Sequence, residues 1–381
     1  MKICFVGLEN LSVLAPEHCD RYVGGESVQQ TLLARAMARR GHEVCMVVAD
    51  YGQPDGAQWD GVRTFKAFRA DAGLPGLRFI HPRWTGMWAA LARVDADVYY
   101  TSCAGMQVGL AALFCRRFRR RLVFRAASNA DCDRSRLLVR YARDRRLYEY
   151  GLRRADEVLV QSTWQQQALA RNYGLPSRVA GMLVEHPGPA RARDIDVLWV
   201  GNIRRVKRPD RMLELADRLP QARLHMVGGL LPGDVDQEAL FEEVACAAAA
   251  RPNLSFHGHL PYPEASALYA RGKVLVNTSD VEGFPNTYLQ AWIRGVPVVT
   301  LIDPDGVIAR EGLGVHLRDP AQFSGAIERL LSDTGAWQAA SDRCRAFMER
   351  EYGEARVLPA YLDTFERVLR PAAAQARTLH A

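Results

Sequence analysis

Several familiar signatures are missing from this 381-residue sequence. Its eight cysteines stand singly, with no CxxC pair. That excludes a disulfide framework or structural zinc of the usual spacing and points to free thiols in a reducing compartment. The nine histidines show no HExxH spacing. His257 and His259 flank Gly258 and read as a packed or solvated pair rather than metal ligands. The Asp-x-Asp tripeptides ("DAD", "DCD", "DID", "DVD", "DPD") fall in unrelated contexts. No metal site is expected from them. There is no GxSxG and no GxGxxG, so the serine-hydrolase elbow and the dinucleotide fingerprint are both absent. No apolar run approaches the ~20 residues that span a bilayer; Val108–Cys115 is typical of the longest. The N-terminal "MKICFVGLENLSVLAPE" has one lysine and no small-residue cleavage site, so it reads as a first strand rather than a signal peptide. Tandem repeats and low-complexity tracts are also missing, as are helix-turn-helix, RNP and zinc-finger patterns. Nucleic acid is therefore not an expected partner.

What remains is an ordinary soluble composition, 48% hydrophobic and 24% charged. The formal charge of +7 is uneven: residues 1–190 hold 27 basic and 18 acidic residues, and the rest holds 23 and 25. Most of the excess lies between Arg116 and Arg154. A basic half favours anionic partners such as phosphates or lipid headgroups. In "RSRLLVRYARDRRLYEYGLRRA", Tyr141, Tyr148, Leu152 and Ala155 form an apolar stripe among arginines. The plain reading is an amphipathic helix with a solvated basic face; the sharper one is docking on an anionic membrane surface.

Strand-like and helix-like segments alternate along the chain. "KICFVG", "EVCMVVAD", "VDADVYYTS", "RLVFRAAS" and "ADEVLVQS" read as strands. "VQQTLLARAMARRGHEV" reads as a helix with Gly41 near its C-terminal cap. The alternation restarts after "VEHPGPARARD", with "DVLWVGN", "ARLHMVGG", "NLSFHGHL", "GKVLVNTS" and "VPVVTLI". This predicts an α/β protein of two Rossmann-like domains with parallel sheets facing a cleft. The expected division is 1–188, 194–355, and a C-terminal segment 356–381. The stretch "EARVLPAYLDTFERVLR", which runs into that segment, reads as an amphipathic helix expected to pack back on the first domain, and the tail after Pro371 is expected to fray.

Two strand-to-helix turns carry the chemistry. In "SDVEGFPNTYLQAW", Glu282 precedes a turn whose Pro285 suits the first turn of a helix. A helix start offers unpaired N–H groups and roughly +0.5 of an elementary charge. Glu282 can accept hydrogen bonds from sugar hydroxyls. Gln290 lies one helical turn past Asn286 and on its face. In "WVGNIRRVKRPDRML", Arg204, Arg205, Lys207 and Arg208 crowd the first turn of the second half, as suits a diphosphate. In "YVGGES", paired glycines permit close backbone approach. Each turn also has a bland reading, as a solvated loop.

Taken in order, these stretches resemble the retaining, nucleotide-sugar-dependent glycosyltransferases of family 4 (group 1), which have the GT-B fold. The most specific run is "LSFHGHLPYPEASALYARGKVLVNTSDVEGFPNTYLQAWIRGVPVV". The resemblance implies donor binding mostly in the C-terminal domain and acceptor binding mostly in the N-terminal one. It makes Glu282 the first acid of an E-x7-E motif, holding donor sugar hydroxyls, with Gly283, Phe284, Pro285 and Asn286 as the turn facing sugar and phosphate. Lys207 matches the diphosphate-binding lysine. Asn202 stands where an arginine is common, leaving Arg204 or Arg205 to supply that charge. Gly24 and Gly25 match a glycine loop near the phosphate, and Gly258, His259 and Leu260 a loop framing the nucleobase. The second acid, which usually touches the ribose, is Gln290, an uncharged and weaker acceptor. A histidine common after the "RLVFRAAS" strand is Ala127, making Ser128, Asn129 and Asp131 candidates for the sugar-facing role. Neither metal nor cofactor is implied, the nucleoside-diphosphate sugar being a substrate. The implied acceptor is a saccharide or lipid-linked saccharide, in cell-surface polysaccharide or glycolipid assembly. The implied location is cytoplasmic or peripheral on the membrane's inner face. A sugar-nucleotide 2-epimerase and a catalytically silent nucleotide-sugar-binding scaffold are the competing classes; the lysine turn and the E-x7-Q run fit a transferase better.

Overall fold

Short β-branched and aromatic runs become central strands because both sheet faces are covered. In the computed structural model, which describes residues 1–21, 23–189, 191–230 and 235–370, the chain forms two compact units. The first holds Met1–Pro16, Gly25–Leu183 and the chain from Glu354 onward; the second holds Glu17–Gly24 and Val184–Gly353. The tail from Pro371, for which fraying is expected, lies outside the described residues.

The first unit's strands are β1 (Lys2–Val6), β2 (Glu43–Val48), β3 (Gln58–Trp59), β4 (Val62–Lys66), β5 (Val98–Ser102), β6 (Arg121–Arg125), β7 (Glu157–Val160) and β8 (Arg178–Val179). They lie in the order β3-β4-β2-β1-β5-β6-β7-β8, parallel except for the antiparallel pair β3–β4. β1 is buried from Ile3 onward and pairs with β2 (Val6 opposite Val47) and β5 (Val6 opposite Thr101). The strand order therefore reverses between β1 and β5. The expected strands all appear. β3, β4 and β8 were not anticipated, and two of these are only two residues long, too short for a period to register.

The helix Glu354–Leu369 closes one face of this sheet. Its buried Tyr361 and Phe365 rings stand edge-on to Tyr100, with centroids 6.4 and 6.0 Å away. Tyr361 donates to the carbonyl of Gly181 (2.8 Å), and Arg367 pairs with Glu157 (2.8 Å).

The arginine-rich segment follows its plain reading, an amphipathic helix with exposed arginines. Its helix covers only Ala142–Arg154, and Tyr148 and Leu152 are buried in the unit's core. Much of the stripe is thus consumed by internal packing. The helix Met106–Phe118 lies against it, and Gly109 and Gly151 mark the crossing: a Cβ on either would strike backbone of the other helix.

The second unit's strands are β9 (Ile195–Val200), β10 (Leu224–Val227), β11 (Leu254–Phe256), β12 (Gly272–Asn277), β13 (Val298–Thr300) and β14 (Gly314–His316). All are parallel, in the order β11-β10-β9-β12-β13-β14. The order again reverses, here between β9 and β12, as in a Rossmann sheet. Val197, Trp199, Val274 and Val276 from the two central strands pack with Met212, Leu215 and Ile327 from flanking helices.

In a helix interior, alanine is ordinarily favoured over glycine by about 1 kcal/mol. At the helix crossing the collision reverses that sign. Gly151→Ala is expected to destabilise the protein by about 2 kcal/mol, read from the urea midpoint.

Candidate functional site

In an open parallel sheet, ligands bind beyond the carboxyl ends of the strands where the order reverses. In the second unit that point lies between the loops leaving β9 and β12. After β9 the chain makes a tight turn over Arg205–Lys207, and Arg208 adopts a left-handed conformation (φ 51°) before the helix Pro209–Arg218. After β12 it runs through Thr278–Pro285 into the helix Asn286–Trp292.

The two loops are clasped by several bonds, the innermost of them buried. Thr278 Oγ1 donates to the Lys207 carbonyl (2.7 Å) and accepts from Trp199 Nε1 (2.8 Å). The Asp280 amide donates to the Val206 carbonyl (2.9 Å). Arg211 donates to the Thr278 carbonyl (2.7 Å) and pairs with Asp280 (2.7 Å).

This clasp sets Lys207 against Glu282, with Nζ 2.6 Å from Oε1. Ser279 Oγ (2.7 Å) and Asn277 Nδ2 (3.3 Å) donate to the same oxygen. Among the described residues nothing bonds Oε2. Burial alone would raise the Glu282 pKa. The Lys207 ammonium, helped by Ser279 and Asn277, outweighs burial and holds it below the ordinary carboxylate value. The result is a fixed, ionised carboxylate with one oxygen anchored and the other open. Arg204 and Arg205 stand on the same turn as Lys207. Among the described residues their guanidinium groups make no hydrogen bond or ion pair, and Arg205 is exposed.

Of the turn after Glu282, Phe284 is buried, its ring edge-on to Trp292 at 6.1 Å. Pro285 is the N-cap of the helix and provides no side-chain cap for its first amides; Asn286 is the first helical residue. Gln290 is buried and engaged internally. Its amide nitrogen donates to Tyr262 Oη (3.1 Å), and its amide oxygen accepts from Arg294 (2.8 Å). Tyr262 in turn hydrogen-bonds Glu185; burial, reinforced by that carboxylate, pushes the Tyr262 hydroxyl well above the ordinary phenol value. An amide suits a position that must donate to one neighbour and accept from another.

The ends of β9 and β10 approach so closely that a Cβ on Gly228 would strike the Gly201 carbonyl. Gly258, at φ 62°, accepts from the Gly228 amide (2.9 Å). His259 Nε2 lies 3.4 Å from the Cys19 carbonyl, and Asn202 donates to the Val23 carbonyl (3.1 Å). Leu260 continues this loop toward the helix Tyr262–Tyr269. The segment 17–24, Gly24 included, thus clusters with the second unit, whereas Gly25 opens the helix Gly25–Arg39 of the first.

Asn129 and Asp131 belong to the first unit, on the loop after β6. Asp131 is buried, accepts from the amides of Ala127 (2.8 Å) and Ser128 (3.1 Å), and with Ser128 forms a capping box. Burial pushes its pKa up to about 6, against those amide bonds. Asn129 accepts from Gln165 (3.1 Å). Sequence reasoning passed over Glu26, next to Gly25. Its carboxylate accepts from Ser102 Oγ (3.0 Å) and Gln30, and burial, with Glu9 nearby, raises its pKa to about 8. It also passed over Asn277 and Ser279 around Glu282. Their only signal was adjacency to the E-x7-Q run.

With that geometry in place, comparison with known proteins is direct. Residues 24–181 match the model of the glycosyl transferase 4-like domain, and residues 194–333 that of the glycosyl transferases group 1. The chain belongs to the group 1 glycosyltransferases, and its two parallel-sheet units have the GT-B fold. It superposes on sucrose-phosphate synthase from Thermosynechococcus elongatus with a TM-score of 0.75, at 17% identity over 97% of this chain and 99% of that one. On Anabaena HepE in complex with UDP-glucose the TM-score is 0.71, at 13% identity over 96% of this chain and 100% of that one. D-inositol 3-phosphate glycosyltransferase of Mycobacteroides abscessus is 27% identical over 150 residues, which is 38% of this chain and 34% of that relative.

Two outcomes test the geometry. The folded pKa of Glu282 lies below its unfolded value, so its ionisation adds stability at neutral pH that is lost as pH falls through the folded pKa. Lys207→Met is therefore expected to cost about 3 kcal/mol at neutral pH. The deficit should shrink on acidification toward the carboxylate range, as urea titrations at several pH values would show. Gln290→Leu strips Tyr262 and Arg294 of partners and is expected to cost about 1–3 kcal/mol in the same assay.

Proposed function

We propose that this protein moves a hexosyl unit from a nucleoside-diphosphate sugar to an acceptor hydroxyl with retention of anomeric configuration. In this reading the C-terminal domain of the expected division, 194–355, holds the donor, and the N-terminal domain, 1–188, holds the acceptor. The observation that carries it is the Lys207–Glu282 pair at the switch point, where, among the described residues, nothing bonds Glu282 Oε2 or the guanidinium groups of Arg204 and Arg205.

On one face of the sugar, the bond from the anomeric carbon to the diphosphate breaks as one to the acceptor oxygen forms; negative charge grows on the departing diphosphate, one of whose oxygens takes the acceptor's hydroxyl proton. Lys207, with Arg204 or Arg205, stabilises that charge, and the fixed carboxylate of Glu282 orients sugar hydroxyls. The position of a cation already bound to a carboxylate matters here. Arrival of the diphosphate gives Lys207 a second anion without moving it, so little reorganisation accompanies the reaction. Gly283–Asn286 and the Gly24–Gly25 loop are proposed to approach sugar and phosphate, and Gly258–Leu260 the base. Asn129 and Asp131 are proposed to shape the sugar-facing loop of the first unit.

HepE, which shares the fold, forms a complex with UDP-glucose, and this makes UDP-sugars the first donors to test. The proposed acceptor is a saccharide or lipid-linked saccharide of surface polysaccharide or glycolipid assembly, met at the cytoplasmic face of a membrane. Among the described residues no helix is long and apolar enough to cross one.

A thermal-shift screen against UDP-, GDP- and ADP-sugars should single out one nucleotide, since a ligand bound to the folded state raises its melting temperature. With that donor, Glu282→Ala and Lys207→Ala should each lower transfer at least ~10-fold, about 1.4 kcal/mol of barrier, in a nucleotide-release assay. Unchanged rates in both would sink the assignment. Conversion of the donor without nucleotide release would point to an epimerase, and donor binding without turnover to a scaffold.

A further inference from the structure

We propose that the first unit docks on an anionic lipid bilayer through a surface formed by residues 74–84 and 136–146. This surface differs from the apolar stripe of the arginine-rich helix, whose Tyr148 and Leu152 are buried. It does not depend on which donor or acceptor the protein uses.

Large apolar side chains are rarely left in water several at a time. In the stretch "LPGLRFIHPRW", Leu74 is 70% exposed, Leu77 58% and Ile80 60%. The loop is held by its own bonds, so this exposure is built in. The amides of Leu77 and Arg78 donate to the Leu74 carbonyl, and those of Ile80 and His81 to the Leu77 carbonyl. These turns keep Leu74, Leu77 and Ile80 within seven residues of one tightly bonded loop. Trp84, at the end of the stretch, packs against the unit's core and anchors it.

The second stretch is tied to the first by a stacked cation. The Arg143 guanidinium carbon lies 3.4 Å from the centroid of the Phe79 ring. Beside it, Leu138 is 62% and Tyr141 53% exposed, and Arg140 stands 5.6 Å from the Tyr141 ring. The charge is one-sided. Residues 136–146 contain five arginines and one acid, Asp144, and residues 74–84 contain two arginines and no acid.

Exposed aliphatics and an aromatic set among arginines match a bilayer whose acyl chains lie just beneath anionic headgroups. A nucleic acid would use the arginines and leave the leucines in water. A second copy of this chain would bring the same positive charge to the contact. The anionic bilayer is the partner that satisfies both halves of the surface.

The full chain should co-sediment with phosphatidylcholine vesicles containing roughly a third phosphatidylglycerol, and not with phosphatidylcholine alone. Raising salt from ~0.1 M to ~0.5 M should weaken binding, because the headgroup attraction is screened. Leu74→Ser/Leu77→Ser/Ile80→Ser and Arg140→Ala/Arg143→Ala should each reduce vesicle affinity at least ~10-fold, the first leaving the salt dependence and the second flattening it. Both sets change exposed positions, so nucleotide-sugar thermal shifts should stay as in the parent. Absence of binding to the anionic vesicles, or equal binding by the triple variant, would overturn the proposal. So would a self-association seen by light scattering that the triple variant abolishes while vesicle binding is absent.

Discussion

A parallel sheet that grows in both directions from its first strand must leave a gap where the growth diverges. In the second unit that gap lies between β9 and β12, and the chain has to place something at its mouth that is stable without a ligand. It places an ion pair. Thr278 and Asp280 bind the neighbouring loop's backbone, so the lysine turn and the acid turn hold one geometry. The pair then satisfies its own charges while Ser279 and Asn277 saturate the buried oxygen. A lone carboxylate there would tend to take up a proton under burial. With Lys207 beside it, the group stays charged and still presents a free oxygen.

The architecture was largely legible in the sequence. Each central strand announces itself as a short apolar run bounded by glycine or polar residues, and the restart after residue 194 marks a second unit. Periodicity, however, cannot show which strands are neighbours. The reversal between β9 and β12, which decides where a ligand goes, became visible only in three dimensions. β3 and β8 are too short to have a period, and β14 is only three residues long.

The site was half legible. Glu282 and Lys207 were each reached from their own strand-to-helix turn and from the motif resemblance, not because spacing links residues 75 apart. Asn277 and Ser279 were missed because their role comes from loop curvature that brings them onto one carboxylate oxygen. Gln290 illustrates the opposite case. As a motif residue it looked like a weakened ligand, yet its amide sits between Tyr262 and Arg294 in a way that only the surrounding helices reveal. The arginine-rich segment was legible in its plain form. Much of its apolar stripe is used where its helix crosses another through Gly109 and Gly151, which the sequence did not show.

The helix Glu354–Leu369 closes the sheet of the first unit, although the whole second unit separates it from that sheet in the chain. During synthesis the first sheet therefore emerges without its lid. Tyr100 and the buried guanidinium of Arg125 lie on the face that this helix covers, and until it arrives they are open to water and to other chains. The second unit can complete itself as it leaves the ribosome; the first cannot. Among the described residues, the helix that follows the second unit in the chain is the one that completes the first.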